Sequence, residues 1–181
     1  MLIAIDGKTP QVAESAWIGP GAIVIGDVVI GERSTVWPGA VIRGDFAPIR
    51  IGANVHVEDN VVIHSGEGIT IGDNVTIGHS VVVHCSEVHD GVLLGNNCTV
   101  LDGAVIGERS IVGAGALVSP REVVPPRSLV YGVPGVIRPA RADQLDRRSQ
   151  RQRSASGGGY HENAMRYRAA GIEDRELVGQ V

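Results

Sequence analysis

The sequence predicts an all-β repeat fold, a parallel β-helix followed by a helical C-terminal extension, and three observations carry that prediction. An aliphatic residue recurs every six positions through most of the chain. The apolar content, 43% of 181 residues, is dominated by Val and Ile while aromatic residues make up only 3%, so the core must be filled by thin, β-branched side chains. The 25 glycines are spaced singly through aliphatic segments instead of gathering in polar runs, which points to regular turns.

The six-residue series begins with Ile18, Val24, Ile30, Val36 and Ile42. After a three-residue slip it resumes as Ile51, Val57 and Ile63, and after a two-residue slip as Ile71, Ile77 and Val83. From Val88, reached one residue early, it runs through Leu94, Val100, Ile106, Val112 and Val118. Four residues after many of these stands a second small or aliphatic residue, among them Ala22, Ser34, Val61, Val81, Cys98 and Ser110. Each unit reads as a short strand plus a turn, and three units close a triangular coil of about 18 residues. One coil cannot bury its own interior. Stacked coils supply each other's backbone partners at about 4.8 Å and share one aliphatic core, so stability accumulates along the axis.

The coiled region is expected from about Trp17 to Ser119, with Pro125-Pro126 ending the stack because proline cannot continue strand pairing. This divides the chain into a β-helix over 1–125 and an extension over 126–181 that packs on it. Within the extension, 129–135 reads as a loop, and Pro139 to Arg153 as a polar, arginine-rich helix. A linker follows over Ser154 to Gly159, and a last short helix begins at Tyr160.

A net charge of −4 and a pI near 5.8 give no electrostatic case for nucleic acid or an anionic membrane as partner. The arginine-rich stretch lacks aromatic interleaving, so it reads as a solvated helix lying along an acidic β-helix. The first eight residues lack a basic segment followed by a long apolar one, and no apolar run approaches about 18 residues, so a cytoplasmic protein is expected. Cys85 and Cys98 have no CxxC spacing and are expected to be buried thiols without a disulfide.

The chemistry-bearing residues are histidines. Val83 lies one coil above Ile63, and His64 and His84 each directly follow those lead residues, so the two rings should stack at one vertex, close enough to share an ion. His79 follows Ile77 by two residues on the preceding face and should point to a different edge. Within one chain such a site is incomplete; a three-fold arrangement completes it by bringing a neighbour's His79 edge against the His64/His84 edge. Three neutral imidazoles with an open position suit a catalytic zinc, although spacing alone would also admit iron or cobalt. A lone histidine in a β-helix wall is ordinarily a satisfied surface residue, but two in register with a third at a complementary edge favour a metal.

Four blocks carry a family resemblance: Ile42-Arg43-Gly44-Asp45, Asp59-Asn60-Val61-Val62-Ile63-His64, Thr76-Ile77-Gly78-His79 and Val83-His84-Cys85. They resemble the signature blocks of γ-class carbonic anhydrases, over most of residues 10 to 140. The resemblance implies a left-handed β-helix and a homotrimer that hydrates CO2 reversibly to bicarbonate. Zinc-bound hydroxide at the subunit interfaces would be the nucleophile. It also assigns Arg43 and Asp45 to an interface ion pair near the metal, with Asp59 in the same network. His56 and Glu58 depart from the Asn and Gln of many relatives. Glu58 either accepts a hydrogen bond from metal-bound water or lies solvated in the wall. Glu67, in a short Ser65-Gly66-Glu67-Gly68 loop, is the candidate proton shuttle, and Tyr160 and Asn163 resemble pocket-lining residues of relatives. Acyl transfer or acyl-CoA hydrolysis is the alternative chemistry on this scaffold, and a non-catalytic, metal-stabilised assembly the alternative without chemistry.

Overall fold

Each six-residue unit forms a strand of a few residues and a turn, and the strands pair at the offsets that the slips demand. The computed structural model describes residues 1–141, 143–145 and 159–179. Trp17–Ile18 pairs in parallel with Thr35–Val36, eighteen residues on. Val41–Ile42 pairs with Val62–Ile63 across the three-residue slip, and Val62–Ile63 with Val82–Val83 across the two-residue slip. Val82–Val83 then pairs with Thr99–Val100 one residue early. The result is a left-handed parallel β-helix. All seventeen lead residues are buried, none more than 3% exposed, and form one continuous aliphatic cluster.

Two longer strands, Ile23–Ile30 and Val41–Ile51, run on around a vertex instead of breaking at it. Val41–Ile51 thereby pairs with Val62–Ile63 on one face and with Ile69–Ile71 on the next, so Arg43, Asp45 and Phe46 ride on the bend between faces. The bend needs glycine. Gly26 lies opposite Gly44 in register, with a bulge just after it, and takes φ +75. A Cβ on Gly44 would stand 2.7 Å from the Asp27 carbonyl oxygen.

The expected end of the stack at Pro125-Pro126, and with it the boundary at 125, is corrected. Val123–Val124 pairs with Val105–Ile106 just before the prolines, and Ser128–Tyr131 pairs in parallel with Ile111–Val112 just after them. The prolines occupy a vertex, where no ladder hydrogen bond is required of them. Ser110 bridges the vertex from inside: its hydroxyl donates to the Pro125 carbonyl at 2.9 Å and accepts from the Ser128 amide at 3.0 Å. Ser34 does the same at the same vertex four coils lower, between the Gly52 carbonyl and the Val55 amide. The stretch expected as a loop forms a hairpin, Ser128–Tyr131 running antiparallel to Val136–Pro139. Pro139 therefore ends a strand, not begins a helix. Residues 143–145 are helical, and the rest of the expected arginine-rich helix and most of the 154–159 linker lie outside the described residues.

The last helix, Tyr160–Ala169, forms as expected, with Glu162 in its first turn and Arg166 and Arg168 in its last, charges that oppose the helix dipole favourably. It ends at Gly171, φ +75. Tyr167 packs on Trp17 and Trp37 at ring separations of 5.8 and 5.7 Å, which seats the helix on the face built from Trp17–Ile18 and Thr35–Val36. Arg168 locks it there, donating to the Ala16 carbonyl and pairing with Glu173, both at 2.5 Å. No described helix is long and apolar enough to cross a membrane. Cys85 and Cys98 are free thiols in the core, and burial pushes both up to about 12.

Candidate metal centre

His64 follows the strand Val62–Ile63 and His84 the strand Val82–Val83, and the parallel register of those strands puts one imidazole above the other. Their ring centroids lie 5.4 Å apart. The two histidines differ in how they are held. His84 Nδ1 stands 3.0 Å from the Asp102 carboxylate in the coil above, which orients the ring and leaves Nε2 free to act. His64 Nε2 is buried and has no hydrogen-bond partner; Asp45 Oδ1 lies 3.3 Å away but outside hydrogen-bonding geometry. Burial lowers the His64 pKa, and the nearby Arg43 guanidinium lowers it further, against the opposing pull of Asp45. That ring is uncharged at neutral pH.

Arg43 sits one coil below His64, where the register of Val41–Ile42 on Val62–Ile63 puts it. It is paired within the same chain to Asp45 at 2.5 Å. Burial would raise the Asp45 carboxyl, but the hydrogen bond from Arg43 and the amides of Phe46 and Asp45 itself outweigh it, and the pKa falls. Phe46 comes next, 72% exposed, edge-on to His64 at 5.9 Å.

His79 stands at a different vertex. It follows the strand Thr76–Ile77, which belongs to the face containing His56–Val57 and Leu93–Leu94. Its side chain is 52% exposed and held by two carboxylates, with Nε2 2.8 Å from Glu58 and Nδ1 3.1 Å from Asp59. Glu58 is therefore not solvated in the wall: it is buried against His79 and also takes a hydrogen bond from Tyr160. Burial and the Glu58 charge together push the Tyr160 phenol well above its ordinary value, so it stays protonated. Tyr160 reaches this vertex from the C-terminal helix, its ring 4.9 Å from His56.

The expected residues thus form two groups. His64, His84, Arg43 and Asp45 share one vertex; His79, Glu58, Asp59 and Tyr160 share another. Among the described residues no three His, Cys, Asp or Glu side chains of one chain are grouped so as to hold a metal ion. Glu67 joins neither group, being exposed in its turn with its amide donating to Ser65 Oγ. Asn163 accepts from Arg166 along its own helix at 3.5 Å. Two neighbours escaped the sequence reading. Asp102 was within reach of it, because Val83 pairs with Val100 and so sets Leu101 over His84, with Asp102 next in the chain. Phe46 carried no signal beyond following Asp45.

The bacterial transferase hexapeptide (six repeats) family matches residues 9–44 and 85–120. A carbonic anhydrase of Geobacillus kaustophilus is 38% identical over 181 residues, spanning 98% of this chain and 100% of its own. The mitochondrial gamma carbonic anhydrase 2 of Arabidopsis thaliana is 38% identical over 109 residues, 56% of this chain and 39% of its own. The chain belongs to the γ-carbonic anhydrase family of hexapeptide-repeat proteins. A solved structure similar to this γ-carbonic anhydrase-like chain, that of a hexapeptide transferase family protein from Anaplasma phagocytophilum, superimposes with a TM-score of 0.81 at 31% identity, covering 94% of this chain and 97% of that one.

Proposed function

We propose that the protein hydrates CO2 reversibly to bicarbonate at three equivalent sites of a homotrimer. Each site would hold one divalent ion, zinc ahead of iron or cobalt, between His64 and His84 of one subunit and His79 of the next. The observation that carries this reading is the His64–His84 pair. A buried imidazole nitrogen left without a partner costs about 1–3 kcal/mol, and His64 Nε2 is such an atom, 5.4 Å ring to ring from a histidine whose Nδ1 is already engaged by Asp102. A cation that accepts its lone pair removes that cost. The donor set suits one: His64 is uncharged, and ligating histidines are ordinarily oriented by a carboxylate on the other nitrogen, as His84 is by Asp102. When bound, such an ion supplies Lewis acidity and a water whose pKa falls toward about 7.

The chain's own residues supply the rest. His79 presents an exposed ring at its vertex, and Phe46 leaves an aromatic face in water beside His64; both features suit burial against a second copy. In that arrangement Glu58, buried beside His79, accepts the proton released from water, and Tyr160 holds the carboxylate in place by hydrogen bonding to it. Arg43, fixed by Asp45, puts positive charge where bicarbonate's negative charge develops. Glu67, exposed nearby in sequence, is the candidate to pass protons to buffer.

The test is metal content together with the CO2-hydration rate of the purified protein, before and after chelation. About one ion per subunit, with activity lost on chelation and regained on zinc addition, is the expected result. Metal-replete protein without hydration activity would overturn it. The transferase name of the Anaplasma phagocytophilum relative favours group transfer as the second reading, and turnover of acyl-CoA by the same preparation would support its acyl form.

A further inference from the structure

His56 has an environment built for it. His56 is 6% exposed, on the strand His56–Val57 directly under the C-terminal helix. Its Nδ1 lies 3.0 Å from Thr35 Oγ1, and Thr35 Oγ1 in turn accepts the Trp37 indole N–H at 3.1 Å. The indole can only donate and takes one lone pair of the Thr35 oxygen, which leaves the hydroxyl a proton and a second lone pair with which to meet His56 Nδ1. This relay holds the His56 ring in place whichever ring nitrogen carries the proton. The outer face of the ring carries Tyr160, tilted at 33° and 4.9 Å away, and Tyr160 hydrogen-bonds to Glu58.

We propose that His56 is a positioning residue: an uncharged imidazole platform, fixed by Trp37 and Thr35, on which the C-terminal helix docks and which holds the Tyr160 phenol on Glu58. What the docked phenol accomplishes rests on the function proposed above; the docking itself does not. A protonated His56 would be a charge buried under the helix. The other titratable and charged groups that face His56 are Tyr160, His161 and Glu162 on the helix and Arg33 on the β-helix vertex, the last two paired at 3.1 Å. None of these offers a buried imidazolium a partner of its own, because Glu162 is engaged by Arg33 and Tyr160 by Glu58.

The sign of the pH dependence follows. Burial lowers His56 from 6.5 to about 4, and burial lowers His161 as well. Docking is therefore complete above pH 6.5 and weakens as pH falls, each histidine contributing up to a factor of about ten per pH unit down to its docked value. Glu162 is also lowered, chiefly by a backbone hydrogen bond, and adds its own loss only below the ordinary carboxylate value of 4.5.

The test is amide hydrogen exchange of Tyr160–Ala169, as protection factors from pH 7.5 to 4.5, in the wild type, His56→Asn and His56→Phe. The amides of Thr76–Ile77 and Leu93–Leu94 report whether the coils remain folded. The wild type should lose helix protection as pH falls while the coil amides hold. His56→Asn, which keeps an acceptor for Thr35 but removes the ring, should lower helix protection at least about tenfold at pH 7.5. His56→Phe, which keeps a ring and removes the titrating group, should keep helix protection at pH 7.5 and flatten its pH dependence by about one tenfold step per unit. Helix protection independent of pH in the wild type overturns the proposal without any variant, and so does wild-type protection in His56→Asn or a wild-type pH slope in His56→Phe. No metal or CO2 enters these measurements, so a protein that hydrates no CO2 defeats the proposed function and leaves this result standing.

Discussion

Glu58 is the side chain with the most to do in the smallest space. It is buried, stands 2.8 Å from His79 Nε2 and accepts the Tyr160 phenol. Glu58→Gln keeps the shape and removes the base; CO2-hydration kcat should fall about 10²-fold with metal content unchanged, measured by stopped-flow and elemental analysis of the same sample. Gly44 makes the complementary case for a residue that acts by absence. It lies between Arg43 and Asp45, and a Cβ there would meet the Asp27 carbonyl oxygen at 2.7 Å and Val28 at 3.0 Å. Gly44→Ala should lower the melting temperature by several degrees and disturb the Arg43–Asp45 pair, reducing activity as well as stability. At this scale the sequence was informative where a residue's position on the repeat decided its neighbour. His84 over His64 follows from counting along the repeat. Tyr160 against His56 and Glu58 does not, because the helix reaches them from a hundred residues away.

The elements divide along the same line. Seventeen lead residues specify seventeen buried positions, since a thin core tolerates only aliphatic side chains at each inward site. The same logic fails at Pro125-Pro126, where proline's missing N–H would matter in a strand and is harmless at a vertex that Ser110 spans. Ser110→Ala leaves the Pro125 carbonyl and the Ser128 amide without that bridge. It should cost about 1–3 kcal/mol, read from chemical denaturation, and fray the terminal hairpin Ser128–Pro139 before the central coils. The helix Tyr160–Ala169 depends on a different element: Tyr167 closes the cluster with Trp17 and Trp37, themselves 4.9 Å apart. Tyr167→Ala should release the helix, seen as increased exchange of its amides and a shifted tryptophan emission, while the melting of the coils stays nearly constant.

At the scale of the whole molecule one chain divides the candidate ligands between two vertices of a triangle, His64 and His84 at one and His79 at the other. A single chain gathers no three of them among its described residues, and the homotrimer proposed above would. The substrate class was legible only through family resemblance, for periodicity fixes where side chains stand and not what they act on. The division of the three histidines between two vertices was legible in the spacing itself.

Subunit complementation tests that shared site most directly. His79→Ala and His84→Ala, each purified and assayed alone, should bind little metal and hydrate no CO2. Co-assembled at equal ratio, every mixed trimer should contain one intact site, and random mixing should restore about a quarter of wild-type metal binding and activity. No recovery in mixed trimers whose composition is verified by native mass spectrometry, or full metal binding by either variant alone, would contradict a site built from two subunits.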